Sequence, residues 1–175
     1  EFAMQRTKHR FTDQEYNDLV TYGKNVLEKY YDHYESKWSD DIQYLTEYRV
    51  RDIHIEGVPV SGFIDRLDKA NDKIVVYDYK SGKAENLSKK TGKPSDKNEI
   101  GGDYWRQMVF YDLMLRQDPK FKAYMDHGFI QGLEPKKDGS FVERKFNITP
   151  DDRAFVINQI TETYQKIQQK EFSDG

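Results

Sequence analysis

The sequence of 175 residues predicts an α/β protein in which a mixed central β-sheet is flanked by helices. Two adjacent segments, Val58 to Leu67 and Lys73 to Lys80, are rich in the β-branched and aromatic residues that favour strands. Segments with helical periodicity stand before this pair, after it and at the end of the chain. One strand before the pair and two strands between the later helices complete the sheet, whose strand order this pattern leaves open.

The first predicted element is a helix. Thr12 or Asp13 can cap its N-terminus, and the helical pattern continues to about Tyr34. We expect one side of this helix to be buried. That side consists of Leu19, Val20, Val26, Leu27, Tyr30 and Tyr31.

The remaining elements follow from similar local signals. Tyr44 to Ile55 predicts the strand that turns into the central pair, and Asp103 to Arg116 predicts a helix after it. Tyr124 to Leu133 and Phe141 to Ile148 predict two further strands, joined by a turn with glycine. The segment Thr149 to Lys170 predicts the last helix, because a proline follows the capping threonine and acidic residues follow the proline.

The turn between the two central strands sets the register of their hairpin. Asn71 and Asp72 tolerate the left-handed backbone that tight turns require. If they form the loop, Asp65 lies directly opposite Asp78, because both pairs are centred on the same turn. Lys80 joins them, because residues two apart on a strand share a face. A slip of one residue would move Asp65 to the other face.

Two facing carboxylates repel each other unless a cation relieves the repulsion. Lys80 offers one positive charge, whereas a hard cation such as Mg²⁺ offers two and prefers oxygen ligands. The alternative is a solvated, charged face at the edge of the sheet. Against it, Ile74 to Tyr77 is apolar on both faces, which indicates a central strand. Gly62 in the preceding strand indicates close approach of another backbone or a ligand.

Three blocks of this sequence resemble the motifs of the PD-(D/E)XK nuclease superfamily, specifically its RecB-like branch. They are Gly62 to Asp68, Asp78 to Lys83, and Gln107 to Tyr111. They follow the patterns Gly-x-Ile-Asp-Arg-x-Asp, Asp-Tyr-Lys-x-Gly-Lys and Gln-x-x-x-Tyr. The resemblance implies a restriction-endonuclease-like core and a metal-dependent DNA nuclease that hydrolyses phosphodiester bonds, with exonuclease action as the expected mode.

The resemblance also implies a set of site residues. It assigns catalytic roles to Asp65, Asp78, Lys80, Gln107 and Tyr111. Its implied metal ligands are the carboxylates of Asp65 and Asp78 and the backbone carbonyl of Tyr79, and the implied metal is Mg²⁺ or Mn²⁺. For Gln107 and Tyr111 the alternative is a structural role, with the tyrosine in the core and the glutamine exposed.

One part of the branch's pattern is not evident here. Members usually carry a histidine or an acid on an N-terminal helix as a further metal ligand. Conceivable substitutes are His9, Glu15, Glu28, His33 and, on the first strand, Glu47. We expect the helix with this ligand to lie outside the given sequence, which would leave the fragment weakly active. The alternative function is a DNA-binding module of the same fold that has lost cleavage.

The context implied by the resemblance is a helicase-nuclease of the UvrD/Rep type or an AddAB-like exonuclease, in bacterial DNA repair or recombination. DNA and a helicase domain would then be the partners, in the cytoplasm. Residues 1–4 look like a cloning remnant, and residues 5–175 are expected to form one domain. The formal charge of −3 does not favour strong binding to DNA by the domain alone, but a helicase would deliver the strand.

Composition excludes other classes. Without cysteine, the sequence has no disulfide, no thiolate zinc site and no cysteine-bound iron–sulfur cluster. No apolar run is long enough to span a membrane, so we expect no membrane partner. The lysine-rich segment Ala84 to Asp103 predicts a flexible surface loop or, alternatively, a basic flap over a DNA channel with Gly101 and Gly102 as its hinge.

Overall fold

The computed structural model describes residues 11–71, 73–82, 87, 90–121 and 124–170. Within these ranges, five strands form one sheet that carries helices on both faces. The strands are β1 (Gln43–Ile55), β2 (Val58–Ala70), β3 (Lys73–Lys80), β4 (Met125–Gly132) and β5 (Glu143–Phe146). The helices are α1 (Asp13–Tyr34), α2 (Asp103–Gln117) and α3 (Pro150–Gln168).

The strands lie in the order β1-β2-β3-β4-β5, so β3 is central. The first three strands form an antiparallel meander. The crossover that contains α2 brings β4 parallel to β3, and β5 then pairs antiparallel to β4. This mixed sheet between helices confirms the predicted fold, and it supplies the strand order that the sequence left open. The predicted fifth strand is shorter than expected, because only Glu143–Phe146 pairs with β4.

Two capping boxes fix the starts of α1 and α3. The Thr12 hydroxyl accepts a hydrogen bond from the Glu15 amide (3.2 Å), and the Glu15 carboxylate accepts one from the Thr12 amide (2.8 Å). Thr149 and Asp152 repeat this arrangement at α3, with distances of 3.2 and 2.9 Å. Each box satisfies two backbone donors that a helix start would otherwise leave unpaired. The predicted starts of both helices are confirmed.

The expected buried side of α1 is wrong in part. Tyr30 is buried, but Leu19, Leu27 and Tyr31 are 44%, 57% and 52% exposed. The helix touches the sheet mainly near its C-terminal end, where the Tyr30 ring packs edge-on against Tyr79 at 5.9 Å. Apolar side chains occur on more than one side of α1, so periodicity alone could not choose the side that faces the sheet.

The main core lies between the other face of the sheet and α2. Leu67, Ile74 and Val76 from the sheet are 0% exposed, and so are four residues of α2. Those four are Met108, Val109, Met114 and Leu115. Burial of this many large apolar side chains is the principal stabilising contribution in the fold. None of the helices in the described ranges is both long and apolar enough to cross a bilayer.

Gly62 has a different reason from the one expected. A Cβ at this position would lie 3.0 Å from both Sδ and Cε of Met114, so the close neighbour is a side chain of α2. Neither another backbone nor a ligand is needed to explain the glycine. Its small size lets α2 approach β2.

The segment before α2 is anchored to α3. Lys93 Nζ donates to both carboxylate oxygens of Asp152 at 2.7 Å, and Lys90 Nζ lies 3.5 Å from Asp103. Gly101 has a φ of 76°, and a Cβ at Gly102 would collide with the Lys90 carbonyl. Close packing therefore explains both glycines. The flap over DNA stays a prediction, and residues 83–86, 88 and 89 of this segment lie outside the described ranges.

Candidate active site

The site lies at the open end of the β2–β3 hairpin, away from the turn that joins the two strands. Asn71 has the left-handed φ of 54° expected in that turn, whereas Asp72 lies outside the described residues. The strands pair from Ala70–Lys73 to Arg66–Tyr77. This much of the register is the one that the turn predicted, and one further residue in the same register would place Asp65 opposite Asp78. The Asp65 charge acts on Asp78 and on Tyr111 of α2, which puts it on the side of the sheet that α2 covers.

Asp78 is the centre of the hydrogen-bonded cluster, and its exposed fraction is 1%. Its Oδ1 accepts hydrogen bonds from Gln107 Nε2 at 2.8 Å and from the Tyr111 hydroxyl at 2.9 Å. Gln107 Nε2 also donates to the Tyr111 hydroxyl oxygen at 2.6 Å. The two α2 residues share a helix face through their spacing of four, and this face covers the end of β3. The structural alternative for Gln107 is therefore too simple, because its amide contacts the carboxylate directly.

Lys80 provides the positive charge of the cluster. Its Nζ lies 2.5 Å from Asp78 Oδ2, and its side chain is 22% exposed. Asp78 Oδ2 itself is buried and accepts no well-directed hydrogen bond. The contact is therefore an ion pair held by charge, without the direction of a hydrogen bond. An ionised carboxylate offers more than one lone pair on each oxygen, so Oδ2 can also accept a metal ion.

Asp65 is tied to the strand opposite. Its Oδ2 accepts a hydrogen bond from the backbone amide of Tyr79 at 2.8 Å. The Asp65 charge also acts on both Asp78 and Tyr111. The structure thus brings Asp65, Asp78 and Lys80 to one end of the hairpin, beside the backbone of Tyr79.

Burial controls the protonation of this cluster. Burial raises the pKa of the Asp78 carboxyl above its ordinary value, Lys80 and Tyr111 oppose that shift, and the Asp65 charge adds to it. Burial also raises the pKa of Tyr111, and the nearby Asp78 charge raises it further. Tyr111 therefore stays neutral and acts as a hydrogen-bond donor. Perturbed carboxyl groups of this kind are frequent at functional sites.

The donor atoms suit a hard divalent cation. Asp65 and Asp78 offer carboxylate oxygens and Tyr79 offers a backbone carbonyl, which are the ligand types of Mg²⁺ and Mn²⁺. The incompletely bonded Asp78 Oδ2 fits such an ion as well. Within the described ranges, however, no three side chains of histidine, aspartate or glutamate lie close enough to hold a metal together. Any further ligand must come from a carbonyl, water, substrate or a residue outside those ranges.

Among the described residues, the conceivable substitutes for an upstream ligand form no metal-holding group with Asp65 and Asp78. Glu15 belongs to the capping box of α1, and Glu28 and His33 are exposed on that helix. Glu47 is exposed too, with a φ of 51°, although it stands opposite Asp65 in the register of β1 and β2. His9 lies outside the described residues.

Two residues near the site, Tyr104 and Arg66, were given no role by the sequence patterns. The Tyr104 ring centroid lies 5.0 Å from Lys80 Nζ and 5.4 Å from Lys90 Nζ, both within cation–π range. Tyr104 stands three residues before Gln107, so its helical spacing was a signal for this face. The second residue is Arg66. It belongs to the Gly62 to Asp68 motif and lies on the opposite face of the sheet from Asp78.

A groove of about 1090 Å³ lies between α2 and α3 and reaches Gln107. Its charged lining comprises three acids and two bases. They are Glu99, Asp103, Glu162, Arg106 and Lys166. A lining with an excess of acids opposes a phosphate backbone, so this groove is a poor path for DNA.

Comparisons with known proteins agree with this geometry. A family model of the PD-(D/E)XK nuclease superfamily matches residues 2–174. No curated protein matches the sequence. Among solved structures, a protein from Eubacterium rectale described as a "Putative exonuclease" is 12% identical with a TM-score of 0.51, and the match covers 98% of this chain and 61% of that one. The crystal structure of SSO0001 is 16% identical with a TM-score of 0.42, and the match covers 92% of this chain and 68% of that one.

The likeness to the Eubacterium rectale protein supports the fold alone, and the chain spans less than two thirds of that protein's length. The family model is the stronger finding, because it covers nearly every residue, including the Asp78-Tyr79-Lys80 segment and the hairpin that presents it. The chain therefore belongs to the PD-(D/E)XK nuclease superfamily.

Proposed function

We propose that the chain is a metal-dependent deoxyribonuclease of the RecB-like branch that hydrolyses phosphodiester bonds with Mg²⁺ or Mn²⁺. The observation that supports it is the convergence of Asp65, Asp78 and Lys80 at one end of the β2–β3 hairpin. Burying an acid at 1% exposure without a complete set of hydrogen bonds is costly for the fold. A requirement for a ligand at this point explains why the cost is tolerated.

The residues would divide the work as follows. The carboxylates of Asp65 and Asp78 and the carbonyl of Tyr79 would hold the metal. When bound, the metal would supply an activated water and polarise a phosphoryl oxygen. Lys80 would orient or deprotonate the water, or would neutralise charge that develops on the phosphate.

Gln107 and Tyr111 would orient Asp78. Both donate to Oδ1, which leaves Oδ2 on the side of Lys80. The carboxylate is thereby fixed in one rotamer, and the orientation of a metal-binding carboxylate affects affinity and rate. Gln107 lies beside Asp78 at the end of the site and so would approach the DNA there.

We further propose an exonuclease that acts with a helicase in repair or recombination, in the bacterial cytoplasm. The name of the Eubacterium rectale protein supports the exonuclease, and the greater length of that protein is compatible with further domains. A formal charge of −3 gives the domain little affinity of its own for DNA, so delivery of the strand by a motor would be an advantage.

A second candidate is a DNA-guiding module of the same fold with weak or no cleavage. It is favoured by the lack of a third acidic or histidine side chain near Asp65 and Asp78 among the described residues. With two carboxylates, the metal affinity of the isolated chain would be low.

Incubation of the purified chain with linear and circular DNA in Mg²⁺, Mn²⁺ or EDTA separates the two candidates. The nuclease cleaves only with metal, and an exonuclease spares the circle. Lys80→Ala should lower the rate by about 10²–10³-fold. Lys73→Ala is the matched control, because Lys73 begins the same strand, is 73% exposed and has only a 3.9 Å ion pair with Asp126. Binding without cleavage by the wild type would establish the second candidate.

A further inference from the structure

We propose that Arg66 is a positioning residue of this site, acting through Tyr79 from the opposite face of the sheet. The inference rests on the proposed nuclease function and assigns a role to a residue that contacts the Tyr79 hydroxyl, which is not one of the oxygens proposed to hold the metal. Arg66 follows Asp65 directly in β2, so its side chain points away from the site while that of Asp65 points toward it.

The Arg66 guanidinium is held in one orientation. Its Nε donates to Asp68 Oδ1 at 2.6 Å and its Nη2 to Asp68 Oδ2 at 2.5 Å. Its centre also lies 4.5 Å from the Tyr77 ring and 4.9 Å from the Tyr44 ring. Arg66 as a whole is 9% exposed. A two-point bond to a carboxylate with aromatic faces beside it leaves the guanidinium little freedom.

The third nitrogen of this rigid group contacts Tyr79. Arg66 Nη1 donates to the Tyr79 hydroxyl at 3.1 Å. On the other side of the sheet, the backbone amide of Tyr79 donates to Asp65 Oδ2 at 2.8 Å. Two consecutive residues of β2 thus hold one residue of β3, one from each face.

These two contacts hold Tyr79 beyond the point where the backbone pairing of β2 and β3 ends. The backbone pairing of β2 with β3 reaches Arg66–Tyr77, and Tyr79 stands two residues beyond it. The Tyr79 residue separates Asp78 from Lys80 in sequence, and its own carbonyl is a proposed ligand. A small movement of Tyr79 relative to β2 would therefore change the spacing between Asp65 and the Asp78–Lys80 pair.

The alternative is that Arg66 only neutralises the buried Asp68. That role would require the two-point bond but would give no reason for the contact with the Tyr79 hydroxyl. It also makes a different prediction, because a purely structural residue changes the folded fraction and leaves the kcat of folded molecules unchanged. The positioning role changes kcat and metal affinity at constant fold.

The test uses Tyr79→Phe and Arg66→Lys in the full 175-residue chain. Tyr79→Phe removes the hydroxyl that Arg66 contacts and that also bonds to Tyr30, whereas Arg66→Lys leaves that hydroxyl in place, keeps the charge and loses the two-point geometry. Tyr48→Phe is the matched control, since its hydroxyl donates to Asp118 at 2.6 Å beyond the C-terminal end of α2. The measurements are thermal unfolding, kcat and KM for linear DNA, and Mn²⁺ affinity by calorimetry without DNA.

We expect Tyr79→Phe to lower kcat about 10-fold with KM for DNA unchanged and to weaken Mn²⁺ binding about 10-fold. Tyr48→Phe should lose similar thermal stability and keep both activities. If folded Tyr79→Phe keeps the wild-type kcat and Mn²⁺ affinity, the positioning role is overturned while the proposed function stands. A wild type that neither binds Mn²⁺ nor cleaves DNA would overturn both. Arg66→Lys, if folded, should repeat the result.

Discussion

Two buried aspartates of the same hairpin differ in how their carboxylate oxygens are bonded. Asp68, 6% exposed, lies behind the sheet and receives two directed bonds from Arg66, one to each oxygen. Asp78, 1% exposed, lies in front of the sheet. Its Oδ1 accepts hydrogen bonds from two neutral groups, Gln107 and Tyr111. Its Oδ2 forms an ion pair with Lys80 but has no hydrogen bond of good geometry.

The difference separates a carboxylate that supports the structure from one prepared for a ligand. A guanidinium that bonds to both oxygens compensates the charge of Asp68, and removing it exposes an uncompensated charge in the interior. The ammonium of Lys80, by contrast, is 22% exposed and is a point charge on a flexible stem. An unbonded oxygen is not a sufficient sign of function, because Asp112 Oδ1 is also buried without a hydrogen bond; that aspartate, however, is paired with two arginines, whereas Asp78 is paired with one partly exposed lysine beside a second carboxylate.

The largest expected effect is on activity, from Asp78→Asn. Asparagine keeps an oxygen for Gln107 and Tyr111 but loses the negative charge that a metal requires. We expect the cleavage rate of linear DNA to fall by about 10³-fold. We expect the thermal unfolding temperature in EDTA not to fall, because the variant no longer buries an incompletely bonded charge. A wild-type cleavage rate in this variant would remove Asp78 from the site.

The next effect is on stability, from Asp68→Asn. One oxygen remains for Arg66, but the charge that compensates the buried guanidinium is lost. We expect the free energy of unfolding to fall by about 3 kcal/mol, measured by urea denaturation. The double variant Arg66→Met with Asp68→Leu should recover part of this loss, because it buries no charge. A loss below about 1 kcal/mol in Asp68→Asn would show that the two aspartates are not treated differently.

Much of this comparison was readable from the sequence before the structure. The turn residue Asn71 predicted the hairpin register, and the pairs from Ala70–Lys73 to Arg66–Tyr77 follow it. The threonine that caps α3 predicted a helix start because its signal lies within four residues. Short-range rules of this kind need no knowledge of the rest of the chain.

What escaped prediction depends on long-range packing. The face of α1 that meets the sheet, the Met114 side chain against Gly62, and the Tyr104 ring beside Lys80 each join segments that are distant in sequence. Several patterns of contact satisfy the same periodicity, and only the packed structure selects one. The orientation of Arg66 toward Tyr79 belongs to this group, because a long side chain can reach several partners.

A third buried aspartate, Asp152, should give the smallest change in the free energy of unfolding when its charged partner is removed. Asp152, 6% exposed, is held by the Thr149 cap and by Lys93, whose side chain is 55% exposed. Burial acts to raise the pKa of Asp152, but the bonds from Lys93 and Thr149 outweigh it and the pKa is lowered. A group with a lowered pKa adds stability above its unfolded pKa of about 3.9, and that stability is lost as the pH falls through the lower folded value.

Lys93→Met should therefore lower the free energy of unfolding by up to about 1 kcal/mol at pH 7, since the lysine is largely solvated. The difference from the wild type should shrink as the pH falls below about 4 and Asp152 gains its proton. Urea denaturation at a series of pH values from about 3 to about 7 measures the loss at neutral pH and its decrease in acid. Lys97→Met, exposed in the same segment, is the control and should show no such dependence. A difference that persists unchanged at pH 3 would mean that Lys93 stabilises through its methylene packing, with Asp152 as a bystander.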